Sequence, residues 1–561
     1  MRGMWEDFRT GTYGLDILAL TAIYAAVLLH EYWAAMIVVI MLTGGESLED
    51  YAEHRARSEL DALLTRAPQE AHVIKGGKTV DVPVTKVHAG DKLLVKPGEL
   101  VPVDAVIIEG TASFDEASLT GESLPQVKKQ DDQILSGSVN LDGAVTIKAL
   151  HSAADSQYEQ IIKLVRSAQN SQAPFVRLAD RYSIPFTIMA FAIAGSVWIM
   201  SGDPIRFLQV IIVATPCPLL LAAPIALISG MSRASKYGII IKTGSGLEKL
   251  ADIQTMAFDK TGTLTRGEPA VDKISAFGKW TKDDVLSTAA SLEQSSNHIL
   301  AQAIVSAASD KKLSFGKAKH VSETAGHGLT ARIKNQEVIV GRYDFMLQND
   351  VSLPATFDHK SIAQTATYIS VNGELAGVIT FKDELRPETK STLQSLRKLG
   401  IKNFLMLTGD NHAAAKAVAK TLNIDNFEAG ALPGQKVHAL EKVEAKPVAF
   451  VGDGVNDAPV LTTADVGIAL GARGSTAASE SADIVIMQDS LTYVARAIAV
   501  AQRAFGIAKQ SILIGIGISI GLMLIFATGK FSPVLGAVLQ EVVDVVVIFN
   551  ALRAHNIKVL E

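Results

Sequence analysis

Six apolar runs punctuate an otherwise mixed chain: Leu15–Leu29, Tyr32–Leu42, Ile184–Met200, Phe207–Ser229, Ile512–Ala527 and Phe531–Phe549. They fall into three pairs joined by short links at His30-Glu31, Ser201–Arg206 and Thr528-Gly529-Lys530, so each pair reads as a membrane hairpin. A span needs about 20 residues, and the first two runs are shorter than that. After Leu42, apolar Leu48, Tyr51, Ala52, Leu60 and Leu63 mix with Glu49, Asp50, Glu53 and Glu59. This mixture predicts a helical stalk continuing past the membrane. From Ala71 to Leu150 the period changes. Val, Ile and Thr alternate with polar residues, and Gly76-Gly77, Pro97-Gly98 and Asp142-Gly143 supply turns, which predicts a small β-rich domain. The long stretch Lys242–Met487 is soluble in character. Within it, Phe381–Met487 alternates strand and helix patterns, with buried strands at Asn403–Leu407 and Ala449–Val451 that each end in an acidic turn. That is the signature of a doubly wound parallel sheet with chemistry at the carboxyl ends of its strands. Trp280–Thr380 then reads as an inserted α/β domain.

The expected fold class is thus multidomain α/β plus a transmembrane α-helical bundle. The boundaries expected are a first hairpin and stalk over 1–64, the β-rich domain over 65–165 and a second hairpin over 166–241. The parallel-sheet domain follows in two parts, 242–268 and 381–490, around an insertion at 269–380, with a final hairpin over 491–561.

Composition narrows the function classes. At 561 residues one hydrophobic core cannot serve the chain, and 48% hydrophobic residues fit a membrane protein with large soluble parts. A net charge of -5 gives no reason to expect nucleic acid as a partner. The one cysteine, Cys217, excludes a disulfide framework or an intrachain Cys-x-x-Cys site. No small-residue cleavage pattern follows the first apolar run, which therefore reads as a span and not a signal peptide. The short links carry only Arg206 and Lys530, while Arg2, Arg9, Arg553 and Lys558 lie at the chain ends. The expectation is six spans in a cell membrane, with termini and large domains cytoplasmic.

The chemistry concentrates at Asp259-Lys260-Thr261-Gly262-Thr263, which follows apolar Ala257-Phe258 and continues as Leu264–Pro269. An aspartate at the tip of a strand, beside a lysine and two hydroxyls, suits covalent phosphoryl transfer. The carboxylate attacks while donors and a metal neutralise the charge. Alone, such a run is an ordinary strand-to-turn transition. Here further motifs recur in order: Thr120-Gly121-Glu122-Ser123 between the first two hairpins, Thr408-Gly409-Asp410, Leu432–Lys436 and Gly452–Pro459. Their order and their places between the hairpins resemble the P-type ATPases, pumps that pass through an aspartyl-phosphate, over essentially the whole chain.

The resemblance implies ATP and Mg2+ as cofactors and assigns roles. Asp259 would be the phosphorylated nucleophile, with Lys260, Thr261 and Thr263 completing its motif around phosphate and magnesium. Thr408 and Asp410 would contact the transferring phosphate, and Lys436 would face it. Asp453 and Asp457 would join Asp259 at magnesium, and Glu122 of the actuator domain would position the hydrolytic water. The β-rich domain is then the actuator, the parallel sheet the phosphorylation domain, and the insertion the nucleotide domain. In that insertion His298, Gly326, Gly328 and Gly341 resemble the adenine-side residues of the heavy-metal branch, although Ile299 stands where that branch carries proline.

The same branch is suggested by Cys217 between Pro216 and Pro218 and by Asn550–Arg553 closing the last run. It usually has two more helices and often an amino-terminal metal-binding domain, so a short form or a fragment is expected. Prolines free backbone carbonyls inside a membrane helix, which is tolerated mainly where they line a site. Glu541 and Asp544, three apart on the last helix, offer carboxylates to the same cation as Cys217. A thiolate with carboxylates suits a borderline divalent ion such as zinc, cadmium, cobalt or nickel, with manganese and iron as further options. The function expected is ATP-driven export of such a cation. The expected partners are that cation and the lipid bilayer, with room for a cytosolic metal donor. One alternative is a copper(I) exporter drawing sulfur from Met189, Met200, Met231 or Met523. Another is a membrane-anchored phosphatase of the same aspartyl-phosphate chemistry without transport.

Overall fold

The computed structural model describes residues 16–40, 51–52, 54–56, 68–76, 78–116, 125–156, 158–159, 162–163, 176–214, 217–296, 298–324, 327–355, 357–359, 362, 365–410, 412–453, 457–471 and 476–557. The side chains of Asp16, 176–181, 217–221 and 476–477 lie outside that description. So do the Thr120–Ser123 loop, with Glu122 in it, as well as Gly326, Thr215-Pro216 and Gly454–Asn456. The chain divides into two units. One comprises Met1–Met256, Gln394–Asn403 and Val437–Glu561, and the other Ala257–Leu393 and Phe404–Lys436.

The first unit carries the apolar helices. Asp16–Leu28 is helical and turns over at His30, whose φ of 62° is left-handed, where the alternation of apolar and polar residues placed a hairpin. Val176–Ser201 is one helix with Pro185 inside it. The next helix begins at Pro204, capped by Asp203 Oδ1, which accepts from Ile205 N at 2.9 Å. The fourth apolar run is not one continuous helix. It forms Pro204–Ile212 and then Cys217–Ser235, with Pro218 in the first turn of the second helix, where its missing N–H has no helical partner to lose. The fifth run is part of a longer helix, Thr492–Phe526, which starts twenty residues before the apolar run. Its first half buries Val494, Ala497, Ile498, Ala501 and Ala504 inside the protein. At about 1.5 Å per residue this helix is roughly 50 Å long, well beyond a 30 Å hydrocarbon layer. The last helix is Pro533–Leu552. Among the described residues three helical segments are long and apolar enough to cross a membrane: Tyr182–Ser201, Thr492–Phe526 and Pro533–Asn556.

The β-rich domain has the predicted alternation. Six antiparallel strands, Lys78–Pro83, Glu70–Lys75, Lys92–Val95, Val145–Ala149, Ala105–Glu109 and Gln133-Ile134, lie side by side in that order. Their inward side chains, among them Leu93, Ile107, Ile134 and Ile147, are fully or almost fully buried together with Phe114. A second sheet of three short strands joins them.

The phosphorylation domain is built on a seven-stranded sheet in the order Ile239–Ile241, Ile484–Ile486, Val466–Leu470, Val448–Gly452, Thr255–Asp259, Asn403–Leu407 and Asn426–Glu428. Val448–Gly452, Val466–Leu470 and Ile484–Ile486 pair in parallel, as do Asn403–Leu407 and Asn426–Glu428. At the edge, Ile239–Ile241 pairs antiparallel with Ile484–Ile486. Thr255–Asp259 is buried at all five positions, which explains its continuous apolar reading.

The inserted domain is a six-stranded antiparallel sheet with the order Thr265–Ala276, Glu374–Leu385, Ala366–Val371, Gln336–Gly341, Gly328–Ile333 and Lys319–Thr324. Helices Lys282–Glu293 and Ile299–Asp310 cover it. Thr281 and Asp284 form a capping box at the first, so that helix start is locally encoded. Both entry and exit strands belong to this sheet, and they pair from Thr265 with Leu385 onward. The insertion is thereby tied directly to the segment that follows Asp259.

Candidate active site

The second unit collects most of the residues expected to act in phosphoryl transfer. Asp259 ends a buried strand and is itself 7% exposed. Gly262 follows with a φ of 75°, a conformation costly for any residue with a Cβ, and turns the chain back under the strand end. The turn is clamped from the exit strand of the inserted domain. Arg386 Nη2 donates to Gly262 O at 2.7 Å and its Nε to Thr265 O at 3.1 Å, while Thr389 Oγ1 donates to Leu264 O at 2.8 Å.

Two lysines meet the acidic groups. Lys436 Nζ lies 2.5 Å from Asp259 Oδ1, with about a tenth of each side chain exposed. Lys260 Nζ pairs with Asp410 and stands 4.0 Å from Asp383 Oδ2. Asp383 accepts from Gly267 N at 3.1 Å and lies 2.5 Å from Thr265 Oγ1. Burial pushes the Asp383 carboxyl above its ordinary range, against the pull of Thr265 and Lys260. Thr408 is buried, and its Oγ1 accepts from Asp410 N at 3.1 Å, fixing the loop that carries Asp410. Thr263 is fully buried, and its Oγ1 has no hydrogen-bond partner among the described residues. A buried hydroxyl without a partner costs free energy. It fits a site whose other partner is an oxygen-rich ligand. Thr261, by contrast, is exposed.

Asp259, Lys260, Thr263, Thr408, Asp410 and Lys436 are therefore buried or brought into one hydrogen-bonded neighbourhood. Asp383, Arg386 and Thr265 complete it without having been singled out in the sequence; the run Asp383-Glu384-Leu385-Arg386-Pro387 was the available signal. In the first unit, Asp453 and Asp457 follow the strand Val448–Gly452, with Asp457 only 3% exposed. A Cβ on Gly452 would come within 2.8 Å of Asp457 Oδ2, so the glycine makes room for that carboxylate. Hard carboxylate oxygens of this kind suit Mg2+.

A second site lies in the inserted domain. A cleft of about 180 Å³ is lined by Glu293, His298, Glu323, Gly328, Gly341 and Thr367, among others. His298 caps the helix Ile299–Asp310, its Nδ1 accepting from Leu300 N at 3.2 Å. Gly328 and Gly341 face each other across paired strands, and a Cβ on Gly341 would lie 2.5 Å from His327 O. The bare backbones thus form a flat wall. Glu293, absent from the sequence-based set, is 6% exposed; burial, and then the Glu323 charge, push its carboxyl up to about 7.

In the last helix Asp544 is buried and accepts from Gln540 Nε2 at 3.1 Å, while Glu541 is half-buried. The side chain of Cys217 lies outside the described residues.

Known proteins match this arrangement part by part. Residues 253–465 match the haloacid dehalogenase-like hydrolase family, and residues 65–166 match the P-type ATPase actuator domain. The copper-transporting ATPase 2 of Rhizobium meliloti (strain 1021) is 35% identical over 94% of this chain and 66% of its own length. The copper-exporting P-type ATPase of Staphylococcus aureus (strain MRSA252) is 34% identical over 99% of this chain and 73% of its own. The chain thus spans about two thirds to three quarters of the length of these relatives. The crystal structure of a zinc-transporting PIB-type ATPase in its E2.Pi state superposes with a TM-score of 0.65 at 31% identity, covering 99% of this chain and 92% of that one. With the phosphorylation and actuator folds both present and the relatedness running end to end, the chain belongs to the P-type ATPases, in their heavy-metal PIB branch.

Proposed function

We propose that this chain couples ATP hydrolysis to export of a metal cation through a phosphorylated Asp259. The observation that carries this reading is the buried Asp259–Lys436 pair at 2.5 Å, at the end of a wholly buried strand. A lysine there holds the carboxylate ionised for attack and remains to balance phosphate charge. In the first step an Asp259 oxygen bonds to the γ-phosphorus and the bond to the ADP oxygen breaks. Lys436 and the Thr263 hydroxyl hold the transferred oxygens, and Thr408 keeps Asp410 and its Lys260 partner in register. In the second step water attacks the phosphorus, positioned by Glu122, and returns the free carboxylate with inorganic phosphate. Mg2+ would be held by Asp259, Asp453 and Asp457, where it supplies charge neutralisation on the phosphoryl oxygens. ATP would reach Asp259 from the cleft lined by Glu293, His298, Gly328 and Gly341.

The cargo site proposed is Cys217 on the proline-flanked helix with Glu541 and Asp544 on the last. One thiol and two carboxylates favour a divalent ion such as zinc, cadmium, cobalt or nickel. The buried position of Asp544 supports it as an inward-facing donor. A second reading, copper(I), is supported by the likeness to the copper-transporting and copper-exporting relatives, 34–35% identical to this chain. ATPase assays of the full chain with zinc, cadmium, cobalt, nickel, manganese, iron(II) and copper(I) separate the two. Cys217→Ser should abolish the metal-stimulated rate while nucleotide binding persists. Stimulation by copper(I) alone would overturn the divalent reading, and unchanged stimulation in Cys217→Ser would move the cargo site elsewhere. Phosphate-ester turnover without any metal-stimulated ATPase would favour the phosphatase alternative.

A further inference from the structure

We propose that a groove between the helix Thr492–Phe526 and the carboxyl end of the last helix binds the phosphate headgroup of an anionic phospholipid. The groove has a volume of about 420 Å³, within the range of ligand pockets, roughly 300–1,000 Å³. Arg503, Gly506, Ile507 and Gln510 form one wall, and Arg553, Asn556 and Ile557 the other. The first set has the spacing i, i+3, i+4, i+7 of a single α-helical face, and the second lies on the 3-10 turn Arg553–Asn556 and on Ile557, which follow the last helix. Two arginines therefore line one opening, together with the amide residues Gln510 and Asn556 and two isoleucines. Arginine is the side chain best suited to bidentate phosphate recognition.

The groove's height along the helices identifies the phosphate's source. The two helices run antiparallel from the turn at Thr528–Lys530, and Asn550 Nδ2 donates to Ser511 Oγ at 2.7 Å where their apolar parts end. From Ser511 to Phe526 is about 24 Å of helix, close to the roughly 30 Å of a hydrocarbon core. Arg503 to Gln510 is the next two turns, and Arg553 to Ile557 follows the last apolar turn on the facing helix. This is the level of the headgroups, on the side where the helix continues into soluble protein. Basic pockets between helices at this level attract anionic lipids. Between Leu491 and Ile557 the acidic residues are Glu541 and Asp544, in the middle of the last helix. The wall is also braced. Arg233 Nε donates to Ile557 O at 2.9 Å, which fixes the end of the chain's described part against the helix Cys217–Ser235. Arg553 Nη1 donates to Asn550 Oδ1 at 2.8 Å, which orients that guanidinium.

The test uses the purified full chain in detergent and native mass spectrometry, titrating phosphatidylglycerol against phosphatidylcholine of the same chain length. Wild type should retain phosphatidylglycerol preferentially. Arg503→Gln and Arg553→Gln should each weaken that retention about fivefold, following from about 1 kcal/mol per basic residue at a membrane surface. Phosphatidylcholine binding should not change. Phosphoenzyme formation from ATP reports that each variant is folded. If the arginine variants fail to fold, Gln510→Glu decides the matter, because it puts a negative charge in the groove with both arginines in place and should also lower retention. Equal retention of the two lipids by wild type, or unchanged retention in the folded variants, overturns the proposal. Displacement of phosphatidylglycerol by millimolar inorganic phosphate overturns it too, because the site would then be one for soluble anions.

Discussion

Glu293 offers a quantitative test of the nucleotide cleft. It ends the helix Lys282–Glu293, is almost fully buried, and titrates at about 7 instead of the 4.5 of a solvated glutamate, because burial and then Glu323 penalise its charge. The sign follows from proton linkage. Between pH 4.5 and 7 the folded state holds a proton that the unfolded state has released, so stability falls as pH rises. Below that window the carboxyl is neutral in both states and costs nothing. Above it the whole penalty is present. Two and a half pH units at about 1.4 kcal/mol each make the penalty ~3 kcal/mol. Glu293→Gln keeps the shape and removes the charge. At pH 5 the variant should be more stable than wild type by only about 1 kcal/mol, whereas at pH 8 it should be more stable by ~3 kcal/mol. Hydrogen exchange of the Lys282–Glu293 amides in the full chain, corrected for intrinsic rates at each pH, measures this locally. Parallel stability profiles for the two proteins from pH 5 to 8 would refute the assignment. A stability cost of this kind is tolerated where a carboxylate serves a binding site.

Two other substitutions probe the second unit. Lys436→Met strands a buried carboxylate, at a cost of roughly 3–5 kcal/mol. The single variant should have a lower denaturant midpoint, and adding Asp259→Asn should recover most of the loss; equal midpoints for single and double variants would mean that the pair is not coupled. Gly341→Ala places a Cβ 2.5 Å from His327 O and 2.8 Å from Gly328 Cα, both backbone atoms that cannot step aside cheaply. Nucleotide affinity should fall at least tenfold, while phosphorylation of Asp259 by inorganic phosphate persists, and unchanged ADP binding by calorimetry would count against the cleft.

What the sequence made legible was what it holds contiguously. The Asp259–Thr263 run, the Thr408–Asp410 turn and the Leu432–Lys436 helix start each carry their chemistry within five residues or fewer, and the alternation in 71–150 is a local period. Asp383 and Arg386 were not legible in that way. Thr265 meets Asp383 across 118 positions, so their partnership exists only once the inserted domain's entry and exit strands pair. Glu293 looks like the polar end of an ordinary helix until Glu323 and the strands close over it. Hydropathy marks where a helix is apolar, not where it begins, so the fifth run, Ile512–Ala527, shows only the second half of Thr492–Phe526. The fourth run is continuous in hydropathy, and the prolines around Cys217, not the apolar count, pointed to a broken helix there.

The account rests on Asp259 as the atom donor to phosphorus. The most direct measurement is acid-stable labelling of the purified full chain by ATP carrying a labelled γ-phosphate, comparing wild type with Asp259→Asn. The substitution preserves size and the buried strand end but removes the negative oxygen that attacks. Wild type should accumulate label that hydroxylamine releases, as an acyl phosphate does, and Asp259→Asn should carry none while still binding nucleotide. Label at the wild-type level in Asp259→Asn would contradict the account.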